Sequence, residues 1–484
     1  MSDAVARRRF VGALLAVLWA IGTLRALLLC MHSPLYAYAN SYDQTRYTTC
    51  FHFYPDRPAD VPPQQHSPEA PYAKFRFIET RDPMCYWSSE LAFTGATALI
   101  WSVGEAMGYT AHDVRWVAAL RWLALLALSL ALSRAWLRRG DTRAAVANAA
   151  LVPLVFADPG NTLYLATFYA EWTALLAAYT LFALVLLWRD EPRSRGRFAV
   201  LALVAFALAT SKIQHMLLPL GLGIVVLVLD RWRLGRTGWR AAAVIVGALL
   251  GLCLQFVQTM REGPMMDTIR QYNRADVVFT GILPFADDPR ALLDELGIDP
   301  GCAIYSGKRA WELPDLPEQA CRGLVDFTRG RELGVLIRHP SIAAQLAASG
   351  VPALDPWVAD NIGHVEGASF RKLPASIPGI GQLLHASGAA RFMLLVLPLL
   401  ALLVLLVRPG PRKGSAALDL TALVVATMAG TLAVTLLGDG LADTAKQGHL
   451  VIDAALAWLV AGIIMRVPAI RTTVRTAGPP TSLT

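Results

Sequence analysis

Charge is scarce in this chain. Only 17% of its 484 residues are Asp, Glu, Lys or Arg, while 55% are hydrophobic. Soluble domains carry about 25% charged residues, so an ordinary soluble fold is excluded. Acidic residues are the scarcer sign: 36 Asp and Glu against 44 Lys and Arg leave a net charge of +8. No aromatic-and-basic patch accompanies that balance, which excludes a nucleic-acid groove as its cause. Cysteine is sparse too, with 6 in the chain and no pair at zinc-ligand spacing. No internal repeat and no haem or quinone signature is present. The one low-complexity tract is the Pro-rich VPPQQHSPEAP (61–71), read as flexible loop.

Long apolar runs are what the chain has instead, and its mean hydropathy is +0.44. About 18 or more consecutive apolar residues cross a bilayer core roughly 30 Å thick. The first run, Phe10 to Met31, follows Arg7-Arg8-Arg9 and lacks a small-x-small cleavage site, so it reads as an uncleaved span. Further runs cover 114–136, 144–157, 171–188, 197–210, 216–230, 240–258, 390–407, 416–437 and 450–466, making ten. Three of these are short (144–157, 197–210 and 216–230) and read as tilted or broken helices. The stretch 88–108 is apolar but carries Glu90 and Glu105, which points to an interfacial helix.

Basic clusters at Arg7-Arg8-Arg9, 133–143, 188–197, 230–240, 407–414 and 466–475 fall on one side of a ten-span arrangement. The positive-inside rule makes that side cytoplasmic, with both termini inside. It also accounts for the pI of about 9.3. The expected fold class is therefore an all-α integral membrane protein with about ten transmembrane helices and two large periplasmic loops. The expected domains are an N-terminal transmembrane module (1–258) with a first loop at 33–111, and a large loop domain (259–389). C-terminal helices (390–475) and a disordered tail (476–484) follow. The Ala- and Arg-rich composition points to a bacterial inner membrane. Cys30 and Cys253 sit within apolar runs and read as inert packing residues. Cys50 and Cys85 share the first loop, and Cys302 and Cys321 the second. An oxidising compartment would join them as two local disulfides. The later loop, with turn signals at 287–289, 298–301 and 313–317, reads as a small, mostly helical, disulfide-stapled domain.

Three short loops on the outer side are unusually polar: 158–170, 211–215 and 438–449. All nine histidines lie on that side or at its edge. Ionisable residues at membrane depth cost several kcal/mol unless paired or hydrated, so they mark a functional cavity. Lys212 and His215 are three apart, as are Lys446 and His449, and on helices each pair would share a face. Together they suit an anion at the membrane surface, such as a lipid phosphate or diphosphate. Asp158, Asn161 and Tyr164 of the first of these loops, and Glu171 just after it, are candidate substrate contacts; the alternatives are an N-cap before Pro159 for Asp158 and a charge opening the next span for Glu171. Trp87, Trp101 and Trp172 read as members of an interfacial aromatic belt.

Asp43 follows the first span in the stretch SYDQTRY (41–47). Held beside a lipid phosphate, it could serve as general base on an acceptor hydroxyl. One carboxylate as base, with cations on a leaving phosphate, describes an inverting glycosyl transfer without nucleotide. Glu79 and Asp82, later in the same loop, are rivals for this role. The alternative for Asp43 is a simple loop salt bridge with Arg46.

An acidic residue in the first outer loop of such a protein resembles the GT-C superfamily of membrane glycosyltransferases. More narrowly, ADPGN-x-x-Y…FY-x-E (157–171), YNRADVVFTGILP (272–284) with DELGIDP (294–300), and GDG-x-x-D-x-x-K-x-x-H (438–449) look like bacterial hexose transferases of surface-glycan and S-layer-glycan assembly. The resemblance runs from about 30 to 450. It implies a polyprenyl-phosphate-linked hexose donor, a glycan or lipid-linked acceptor, a periplasmic site and a first-loop acid as base. Tyr272 and Asn273, with Arg46, would line the sugar site. No clean DxD stands in the first loop; no metal ligand is assigned, and divalent-metal use stays open. Asp287-Asp288 sits in a turn context that points to structure. Two rivals share these features. A glycan polymerase or ligase would rely on Arg338, His339, His364 and Arg371, and a flippase on charge nearer the midplane. The oligomeric state is not legible.

Overall fold

The computed structural model describes residues 2–39, 42–57, 70–79, 85–235, 238–261, 263–355, 358–359, 362–368, 373–374, 377, 379–407 and 415–466. Asp82, Arg371, most of the Pro-rich tract and the tail 476–484 lie outside them. Helix α1 (Ser2–Cys30) leads into a segment holding α2 (Tyr42–Thr48), β1 (Phe53–Pro55), β2 (Lys74–Phe77), α3 (Leu91–Ala106) and β3 (His112–Asp113). The bundle continues with α4 (Arg115–Arg138), α5 (Thr142–Leu151), the short α6 (Pro159–Thr162), α7 (Glu171–Leu187), α8 (Arg195–Ser211), α9 (Leu218–Leu234) and α10 (Trp239–Met260). The late loop carries α11 (Pro264–Asp276), α12 (Pro289–Glu295), α13 (Pro317–Ala320), α14 (Arg329–Arg338), α15 (Pro340–Gly350) and α16 (Ile380–Ala386). Helices α17 (Gly388–Val407), α18 (Ala416–Asp439), α19 (Thr444–Gln447) and α20 (His449–Arg466) complete the described chain.

The protein is thus an all-α membrane protein apart from one small sheet. Seven helical stretches among the described residues are long and apolar enough to cross a bilayer: Arg8–Cys30, Arg115–Arg138, Ile213–Arg233, Trp239–Met260, Gly388–Val407, Ala416–Asp439 and His449–Arg466. The other three apolar runs fall on Thr142–Phe156, Glu171–Leu187 and α8. Of the three runs expected to be tilted or broken, 144–157 passes from α5 into a π turn at Val152–Phe156 that contains Pro153. The run 216–230 lies within the stretch Ile213–Arg233, which opens with a single turn at Ile213–His215 before α9 begins at Leu218. Helices α8 and α10 pack closely because Gly247 has no side chain. A Cβ there would meet the Ala202 carbonyl oxygen at 2.0 Å, as small-residue contacts between membrane helices require.

The sheet has strand order β1-β2-β3, all antiparallel, with Phe53 opposite Phe77 and Phe75 opposite His112. Phe53 and Phe75 are buried and pack on Trp101 of α3 and Phe168. Trp101 is therefore a core residue and not part of an interfacial belt. Trp172 is equally buried, between Trp122 and Phe156. Glu90, taken from the sequence as a sign of an interface, is fully buried against Arg121. Cys253 is exposed on α10 and Cys30 buried, so only Cys30 serves as packing.

Both expected disulfides are present, Cys50–Cys85 and Cys302–Cys321. The second staples an apolar core of the late loop that includes Phe279, Leu293, Leu324, Phe327 and Val335. The late loop docks on α18, where Gly440 turns at φ +59; a Cβ there would meet Thr280 Oγ1 at 2.5 Å. Its far end returns to the first loop: Ala37 and Ala39 donate to the carbonyls of His364 and Gly363. The Glu366 carboxylate accepts from the Leu35 and Ala73 amides. Asp230, Arg240, Arg189 and Asp419 clamp the opposite ends of α7, α9, α10 and α18.

Candidate functional site

Asp43, in the first turn of α2, is the meeting point of the chain's charged loops. Its Oδ1 accepts from Arg46 one turn on. Its Oδ2 lies 2.9 Å from Lys446 Nζ and 3.8 Å from Lys212 Nζ. Lys446 also pairs with Asp443, and Lys212 Nζ lies 2.7 Å from Glu171 Oε1. Three cations thus face three carboxylates. The lysines and Glu171 are almost fully buried, whereas the Asp43 side chain keeps 19% of its surface. The His215 and His449 rings stand 6.3 Å apart beside them. Tyr169 lies under Lys446, and Tyr164 packs between Tyr38 and His449.

Broken helices deliver these side chains, not the shared helix faces that the i, i+3 spacing predicts. Helix α8 ends at Ser211, and Lys212 is extended, at φ −151 and ψ 153. A single turn, Ile213–His215, follows before α9. Helix α18 ends at Gly440, Lys446 lies on the one-turn α19, and His449 opens α20 after Gly448. Each cation therefore sits where the backbone stops being a rod and can turn inward. The two pairs stay compact because the His215 amide donates to the Lys212 carbonyl and His449 Nδ1 lies 3.1 Å from the Lys446 carbonyl.

Helix α2 is held from three directions. The Cys50–Cys85 bridge closes its end. The Tyr86 amide donates to the Arg46 carbonyl. Gln44 donates to the Ala39 carbonyl and accepts from the Phe168 amide, tying α2 to the 158–170 loop. That loop is fixed from behind by Arg121 of α4. Its guanidinium pairs with Glu90 and donates to the carbonyls of Tyr164 (2.7 Å) and Tyr169 (3.3 Å).

Electrostatics follow from the pairing. Burial alone would raise the Asp43 carboxyl, but Arg46, Lys446 and Lys212 outweigh it and hold it well below its ordinary value. Burial alone would lower the Lys446 ammonium, but Asp43 and Asp443 hold it well above its ordinary value. Burial pushes the Tyr164 hydroxyl up, with Tyr38 and Glu171 adding to the shift. All three groups keep one charge state across neutral pH.

Other expected residues lie elsewhere. Asp158 caps α6 by accepting from the Gly160 amide, and it also accepts from the Ile380 amide. Burial pushes its carboxyl up to about 6. Asn161 donates to the Val155 carbonyl and to Asp453. Tyr272 packs on the late-loop core, and no described contact brings it or Asn273 to the cluster. Glu79 is exposed. Asp288 caps α12. Arg338 and His339 both pair with Glu295, and His364 turns toward the Ala359 carbonyl and Tyr38. Sequence reasoning passed over Tyr38 and the Glu90–Arg121 pair. The aromatic alternation YAYAN (36–40) just before α2 was the available signal for Tyr38. The described residues contain no group of three or more His, Cys, Asp and Glu able to hold a metal ion.

Fold and cluster together define a multi-pass helical membrane protein with a buried ionic centre at one end of its bundle. Over residues 4–475 the chain matches the family described as the YfdI N-terminal transmembrane domain, and it belongs to that family. No curated protein and no solved structure matches it.

Proposed function

We propose that this protein is a membrane glycosyltransferase of the GT-C type. It moves a hexose from a polyprenyl-phosphate-linked donor to a glycan or lipid-linked acceptor. In this reading the ten apolar helical runs all cross the bacterial inner membrane, both termini are cytoplasmic, and the ionic cluster faces the periplasm. One observation carries the reading: Asp43 and Lys446, 403 residues apart, share a contact at 2.9 Å inside one buried cluster. A base and two cations for a phosphate therefore stand within reach of one bond.

The step balances as a direct displacement. The acceptor hydroxyl oxygen attacks the anomeric carbon, and its proton passes to Asp43. The bond from that carbon to the phosphate oxygen breaks, and the electron pair stays on the phosphate. The lipid phosphate gains one negative charge, which Lys446 and Lys212 neutralise. Both Asp43 oxygens engage cations, and a carboxylate held that way is a weak base. A phosphate that draws Lys446 and Lys212 toward itself frees Oδ2 and raises its basicity, so donor binding precedes proton transfer. His215 and His449 lie close enough to steer the phosphate.

The test is transfer of radiolabelled hexose from a polyprenyl-phosphate donor pool in membranes, for wild type and Asp43→Asn at equal expression. Loss of about 10²- to 10⁴-fold is expected for a missing general base. Equal transfer by both variants would overturn the role of Asp43. If the wild type moves no single hexose while whole surface glycans change, a ligase or flippase takes its place.

A further inference from the structure

Helix α14 is amphipathic in an unusual way. Its buried residues are Glu332 and Val335, with Leu336 packed on the late-loop core. Arg331 and Arg338 face α12, the first donating to the Leu296 carbonyl and the second pairing with Glu295. A third stripe remains at i, i+4 and i+8: Arg329, Leu333 and Ile337. Leu333 is 50% exposed and Ile337 79%, away from the apolar side that Val335 and Leu336 turn to the core.

Arg329 fixes where this stripe starts. Its guanidinium donates to the carbonyls of Leu437 and Gly438, at the end of α18. Helix α18 is one of the seven stretches able to cross a bilayer. The N-terminal member of the stripe is therefore anchored where a membrane span meets the surface. Ile337 lies about 12 Å further along at 1.5 Å per residue, with no protein covering it among the described residues.

We propose that α14 lies on the bilayer surface beside the end of α18, with Leu333 and Ile337 dipped into the boundary between headgroups and acyl chains. The occupant of this face is lipid and not a second protein, because the stripe begins at the end of a membrane span, where Arg329 holds the Leu437 and Gly438 carbonyls. Interfacial helices bury such a face to a depth of about 5–10 Å. Docked this way, α14 ties the late loop to the membrane plane. The inference is independent of the chemistry proposed for the ionic cluster.

The test uses the full chain in nanodiscs, in a Cys253→Ser background that removes the exposed free thiol. An environment-sensitive fluorophore is attached at Ile337→Cys and, on the α12-facing side, at Arg338→Cys. Emission at 337 should shift to the blue, and lipids spin-labelled near the headgroup should quench most of it. Emission at 338 should stay water-like and lose little. Water-like emission at 337 overturns the proposal. So does a blue shift that the spin-labelled lipids leave unquenched, which would assign the face to a protein partner. An Ile337→Asp variant with the probe at Leu333→Cys guards against a label that seeks lipid on its own. It should return the 333 emission to the water-like value, and an unchanged emission would also overturn the proposal.

Discussion

Lys446 shows what charge balance asks of a single residue. It stands between Asp43 and Asp443 with only 8% of its side chain exposed. Removing one partner of a buried ion pair leaves an uncompensated charge, at a cost of about 3–5 kcal/mol. Lys446→Met should therefore lower the thermal stability of the purified protein markedly. Adding Asp443→Asn removes one of the stranded carboxylates and restores the balance of charges around Asp43. The double variant should melt close to wild type in detergent, yet it should not transfer hexose, because the phosphate has lost its cation. If the double variant melts no higher than Lys446→Met, the loss is one of packing and not of charge. If it melts normally and also transfers normally, Lys446 has no part in handling a phosphate.

Elements set where such residues meet, and α4 illustrates it. Arg121 and Glu90 are fully buried, and Arg121 also holds the carbonyls of the loop that presents Tyr164 and Tyr169. Exchanging a buried ion pair for apolar residues of similar volume is often neutral for stability. A Glu90→Leu/Arg121→Met double variant should accordingly insert and melt only modestly below wild type, the loss coming from the Tyr164 and Tyr169 carbonyls left without a donor. It should still lose transfer by about 100-fold, since a shift near 1 Å in a reacting group costs that much. Wild-type turnover in this variant would reduce the pair to a packing device. Its legibility was partial: Glu90 was visible in the sequence as a charge in an apolar stretch, but its partner lies 31 residues away on another helix. The same limit applied to the cluster. Long apolar runs revealed the helices, and the polar short loops revealed Lys212, His215, Lys446 and His449. The i, i+3 spacing then suggested continuous helices, whereas Lys212 is extended and Gly440 and Gly448 break the second segment. Apolar patterning reports which face of a rod is buried; it carries no information about where the rod stops. Asp158 takes the N-cap place that its position before Pro159 also offered, and Asn161 turns to Asp453, because a polar residue beside a span can serve a cap or a neighbouring helix as readily as a ligand.

At the scale of the molecule, the number of spans decides what the loops can meet. Thr142–Phe156, Glu171–Leu187 and α8 are about 22 to 26 Å long at 1.5 Å per residue, short of a hydrocarbon core of about 30 Å. A helix facing lipid would be penalised for that shortfall. Nearly every residue of α7 is buried in the bundle, however, so its ends need only reach the neighbouring helices. If all three shorter helices cross, there are ten spans and the two termini share a side. If none does, the seven long helices make an odd number and the termini lie on opposite sides. Epitope tags at the two ends, probed with an impermeant reagent in spheroplasts and in inverted vesicles, separate these cases. Both tags should be protected in spheroplasts and reached in inverted vesicles, and a cysteine at the exposed Lys308 of the late loop should show the reverse. One tag reached from each side would leave an odd number of crossings. At least one of the three shorter helices would then be re-entrant. Reversing the sidedness of both tags would keep ten spans but turn the ionic cluster toward the cytoplasm, where a periplasmic acceptor could not reach Asp43.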